Sequence, residues 1–75
     1  MDNTTLQKVI RFQKQEITEH LIYSKLAAST KAVKNRTVLQ HIANDELKHY
    51  SFWKKYTQKE FKPKFLLAWY YIIVS

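Results

Sequence analysis

The 75-residue chain is predicted to be all-α: an antiparallel two-helix hairpin followed by the start of a third helix. Three observations carry this. There is no glycine and one proline, Pro63, which leaves too few turn formers for a sheet protein. Apolar residues recur at spacings of three and four through two long stretches. The apolar fraction of 45% is too high for a disordered chain, despite a net charge of +7. With no cysteine, neither disulfides nor thiolate metal sites can staple so small a fold. One domain is expected, and it should complete its core by oligomerising.

The first helix is expected over residues 4–29. Thr4 and Gln7 have capping-box spacing at its start. Its inward stripe reads Leu6, Val9/Ile10, Gln13, Glu16/Ile17, His20, Tyr23/Ser24 and Ala27. Ser29-Thr30-Lys31 interrupts the pattern, and Thr30 is expected to cap a second helix over 31–58. That helix turns Val38/Leu39, Ile42/Ala43, Glu46, His49/Tyr50, Trp53 and Tyr56/Thr57 inward. Lys62-Pro63 ends it, because proline disfavours helix in the residue before it, and an apolar third helix is expected from 63.

Charge bounds the partners. The lysines dispersed along both helices read as solvated faces. Lys54-Lys55 and the cluster Lys59, Lys62 and Lys64 differ, because they abut the apolar run Phe65 to Val74. Basic residues followed by aromatic and apolar ones suit a membrane interface, yet ten residues are about half of a spanning helix. The run therefore reads as a third helix that continues in the native chain, and residues 62–75 could meet a membrane-domain partner. No basic stretch leads into an apolar run at the N-terminus, so a cytoplasmic location is expected, with membrane association as the alternative. No nucleic-acid partner is expected.

The chemistry concentrates in Glu46-Leu47-Lys48-His49 and in Glu16, thirty residues upstream. A short turn makes the two helices antiparallel, so residues equidistant from it share a height. Glu16 and Glu46 are symmetric about residue 31, roughly 22 Å from the turn. His49 lies one helical step beyond Glu46, and together they form the Glu-x-x-His pair of a di-iron carboxylate site. Four glutamates and three histidines in 75 residues give about 0.16 chance matches to that pattern, so the match alone is weak. The pattern gains weight because charge on a stripe otherwise filled by Ile42 and Trp53 is costly unless paired or bound to metal. Glu16, Glu46 and His49 are therefore the expected metal ligands. Glu19 and His20 are expected on a solvated face or as partners of the ligands. His41 pairs with Asp45 on the surface, and Tyr23, Tyr50 and Trp53 form the layer around the site.

Glu16-Ile17-Thr18-Glu19-His20, with Tyr23 seven residues after Glu16, and Asp45-Glu46-Leu47-Lys48-His49-Tyr50 resemble the first two helices of the rubrerythrin and ferritin-like di-iron proteins. With Lys62-Pro63 and the aromatic run that follows, the likeness is closest to rubrerythrin-type domains, some fused to a vacuolar-iron-transporter-like membrane region. The resemblance implies half of a ferritin-like four-helix bundle. It also implies ferroxidase or peroxide-reducing work in iron handling or oxidative-stress defence. In that family further helices bring another glutamate and a second Glu-x-x-His.

Counting leads to the same gap. A bundle holding two Fe ions takes four carboxylates and two imidazoles, whereas one chain offers two and one. A homodimer or higher oligomer, or further helices, must complete it. Carboxylate-rich ligation suits iron or manganese, with O2 or peroxide as the small-molecule substrate. Glu16 is expected to ligate terminally and Glu46 to bridge, with His49 completing the set. The competing readings are a non-enzymatic basic helical module that docks on a membrane or partner, and a structural zinc or manganese site.

Overall fold

In a computed structural model, which describes residues 1–74, the chain is all-α. Helix α1 spans Asn3–Ser29, α2 Val33–Thr57 and α3 Phe65–Val74.

Helix α1 starts one residue earlier than the capping-box spacing implies, because Asp2 outcompetes Thr4 as the cap. Its Oδ1 accepts from the Thr5 N–H at 2.8 Å and its Oδ2 from the Thr5 hydroxyl at 3.0 Å. Thr30 closes α1 instead of opening α2. Its N–H goes to the Ala27 carbonyl at 3.2 Å, and its Oγ1 donates to the Leu26 carbonyl at 2.6 Å. The cap of α2 is Ala32, which has no side chain to satisfy the first turn, so α2 begins at Val33. Only residues 30–32 join α1 to α2, which makes them antiparallel neighbours. Helix α2 ends at Gln58, a left-handed residue (φ 54°) whose N–H caps the Lys54 carbonyl.

The segment after α2 turns back along the hairpin and is pinned by three polar side chains. Gln13, fully buried on the inward stripe of α1, donates to the Lys59 carbonyl at 3.0 Å and accepts from the Thr57 hydroxyl at 2.6 Å. The Tyr50 hydroxyl accepts from the Phe61 N–H at 2.9 Å and lies 3.4 Å from its carbonyl. Thr18 Oγ1 accepts from the Lys64 N–H at 2.9 Å while donating to the Lys14 carbonyl. Lys14 also sits over the Phe61 ring, 5.2 Å from its centroid. These bonds deliver Lys64 beside Thr18. Helix α3 then opens at Phe65, two residues later than the proline suggests, and packs on α1. It runs in the same direction as α1: Trp69 lies under Lys25, with 5.0 Å from the ammonium to the ring centroid. Ala68, completely buried, lets the two backbones approach.

The core is thin. Its fully covered residues are Val9, Gln13, Thr18, Ala27, Ala43, Tyr50 and Ala68. The molecule measures 45 × 22 × 15 Å and exposes 5722 Å², against about 4,900 Å² for a compact monomer of this mass. The inward stripe of α1 is covered along its length. That of α2 narrows to Leu39, Ile42, Ala43, Glu46, Tyr50, Trp53 and Thr57, while Val38, His49 and Tyr56 stand exposed. At 100° per residue these three lie roughly 80–100° round from the line through Leu39, Glu46, Tyr50 and Thr57, on the flank of the seam.

Candidate metal centre

The expected height match is present. Glu16 from α1 meets Glu46 and His49 from α2, with the His49 Nδ1 3.3 Å from Glu16 Oε2 and 3.4 Å from Glu46 Oε1. The carboxylates are tucked into the seam, 15% exposed each, while the imidazole closes the group from outside at 58% exposed. A single Nδ1 faces two carboxylates and carries at most one proton, so it cannot satisfy both well. The other oxygen of Glu16, Oε1, is buried without any hydrogen-bond partner.

The carboxylates register this crowding. Burial holds the Glu16 carboxyl above its ordinary value, with His49 opposing that shift and Glu19 adding to it. Glu46 is pushed up to about 7, foremost by a hydrogen bond with Glu19, then by burial, then by the charges of Glu19 and Glu16. Near neutrality the Glu46 carboxyl is therefore partly protonated, because Glu16 and Glu19 crowd it and only one imidazole opposes them.

Glu19 is thus a member of the cluster, held from outside by the Gln15 side-chain amide at 3.2 Å. Its place one turn from Glu16 was the available signal. His20 takes another role: its Nδ1 lies 2.7 Å from the Ala43 carbonyl, which can only accept, so the ring donates and ties α1 to α2 beside the cluster. Tyr50, expected around the site, is spent on Phe61. Tyr23 faces a groove of about 580 Å³ between α1 and α3. Trp53 packs edge-on against Phe52 at 5.1 Å, on the flank that also carries His49. His41 and Asp45 are both exposed.

The donor set tests well for a hard divalent ion. Donors about 2.1 Å from one metal lie about 3.0–3.4 Å apart around it, and the two distances to Nδ1 fall in that range. A cation placed here would give the orphaned Glu16 oxygen a partner and offset the crowding of the carboxylates. The arrangement is incomplete, however. Among the described residues, no group of three or more His, Asp or Glu side chains is placed to hold a metal ion by itself. Glu16, Glu46 and His49 meet at the imidazole, and a single chain offers half the donors of a two-metal bundle site.

No family model matches the chain, and no match was found among curated proteins or solved structures.

Proposed function

We propose that Glu16, Glu46 and His49 form half of a di-iron carboxylate centre, which is completed when a second chain brings the same three residues. The reading is supported above all by the unpartnered buried Oε1 of Glu16, beside a Glu46 that resists ionising. Glu16, Glu46 and His49 would hold the metal, and Glu19 would orient Glu46 through their shared hydrogen bond. Iron bound there would supply electrons to O2 or peroxide, in ferroxidase or peroxide-reducing work; manganese fits the same oxygen-rich set. The chain's own contributions are to bind, to release the carboxyl proton that a cation displaces, and to hold the two carboxylates in the seam.

Two further features favour a second copy. His49 is open to solvent on one flank, and beside it stand exposed Phe52 and Tyr56 from α2, with Phe12 of α1 also exposed. Two such flanks facing each other across a two-fold axis would bring together four carboxylates and two imidazoles. The test is anaerobic Fe(II) binding by equilibrium dialysis, comparing the wild type with Glu46→Ala. Loss of iron binding in the variant, with helicity retained, supports the centre. Equal iron binding by both would remove Glu46 from it.

A further inference from the structure

Helix α3 is apolar on all sides, Phe65-Leu66-Leu67-Ala68-Trp69-Tyr70-Tyr71-Ile72-Ile73-Val74, yet it packs on α1 alone. Ala68, Leu67 and Tyr71 turn towards α1, where the last two line the groove. The outer surface is bare: Leu66 is 88% exposed and Ile73 76%, with Phe65, Tyr70 and Val74 also exposed. A helix apolar all round persists in water only where something covers it, and a patch of this extent marks an interaction surface.

The charge around that patch identifies what covers it. Lys59, Lys62 and Lys64 lead directly into α3, and Arg11, Lys14 and Lys25 of α1 stand alongside. Five of the six carboxylates are engaged elsewhere, and the sixth, Asp45, is exposed on α2, which α3 does not contact. Asp2 caps α1, Glu60 is paired with Lys54, and Glu16 and Glu46 face His49. Glu19, at the groove, is hydrogen-bonded to Gln15. We infer that α3 and its surrounding lysines dock this chain on an anionic lipid bilayer surface.

Residues 65–74 rise about 15 Å, half of a hydrocarbon core of about 30 Å, and among the described residues no helix is long and apolar enough to cross a membrane. The residue types of this stretch suit the interface. Trp69, Tyr70 and Tyr71 suit the headgroup level, and Lys62 and Lys64 can bury their stems while their ammonium groups reach lipid phosphates. A second copy is a poorer occupant for this face, because it would bring the same lysines against these. An anionic bilayer offers opposite charge and apolar depth together.

The test is flotation with vesicles of phosphatidylcholine containing one quarter phosphatidylglycerol, and with pure phosphatidylcholine, at about 0.15 M salt. A Trp53→Phe background makes tryptophan emission report Trp69 alone. The expected result is co-flotation with the anionic vesicles, a blue-shifted Trp69 emission, and binding about tenfold weaker or worse to pure phosphatidylcholine. The doubly substituted Leu66→Glu, Ile73→Glu chain should lose binding while far-UV circular dichroism keeps its helicity, since both positions are exposed. A chain that stays in solution with unshifted emission overturns the proposal, and so does vesicle binding that ignores both lipid charge and the two substitutions. If those substitutions instead dissociate an oligomer that never bound vesicles, the occupant is another copy and the lipid assignment fails.

Discussion

Glu46 shows what a single position on a helix seam can reveal. Placed beside Glu16, Glu19 and His49, its carboxyl binds a proton more tightly folded than unfolded. Stability from that proton is full below the ordinary value of 4.5 and is lost as pH rises towards about 7, with no further loss from this group above it. Glu16 shifts in the same direction. The metal-free chain should therefore have a lower urea midpoint at pH 8 than at pH 5, and Glu46→Gln should flatten that slope by mimicking the protonated side chain. A midpoint that rises with pH, or a slope unchanged in Glu46→Gln, would contradict the crowding described. Glu19→Gln keeps the hydrogen bond but removes a charge, and should weaken metal binding by about 10–100-fold without abolishing it. At Gln13 the stake is stability: Gln13→Leu leaves the Lys59 carbonyl and the Thr57 hydroxyl without their partner and should cost about 1–3 kcal/mol in urea denaturation. At this scale the sequence identified Glu16, Glu46 and His49 correctly as a meeting group, because antiparallel register follows from the turn alone. It placed Gln13 on the inward stripe without its purpose, since the bonds to Lys59 and Thr57 depend on a chain reversal more than forty residues away.

The helices themselves differ in how well they are finished. Helix α1 has a side-chain cap, whereas α2 opens on Ala32 with none and has no acidic residue in its first turn. Ala32→Asp should therefore stabilise the fold by about 1 kcal/mol, read as a higher urea midpoint, and Asp2→Ala should lower that midpoint. Helix α3 depends on its tether. Thr18→Val removes the acceptor of the Lys64 N–H, so hydrogen exchange should speed up across residues 64–74 while α1 and α2 keep their protection. Exchange that speeds up equally in all three helices would mean that α3 is not a separable unit. Helix number and type were legible because a 3.6-residue period persists for two long stretches. The caps were not, because Asp2, Thr4 and Thr30 are all competent caps and the choice among them is settled by local backbone geometry.

The whole molecule is thin, over-exposed for its mass and unevenly charged, and each property points to surfaces that work in contact with something else. We assign one surface, the His49 flank with Phe52 and Tyr56, to a second copy, and another, α3, to lipid. These are separable: Leu66→Glu with Ile73→Glu should leave iron binding intact, and Glu46→Ala should leave vesicle binding intact. The paired di-iron centre proposed above belongs to the first surface. It is tested most directly by titrating the purified chain with Fe(II) under anaerobic conditions, following each addition by native mass spectrometry, and then admitting air. The expected result is two irons for each pair of chains, none on a lone chain, and a ferric-oxo absorption that grows after air enters. A folded, paired chain that takes up no iron would contradict it.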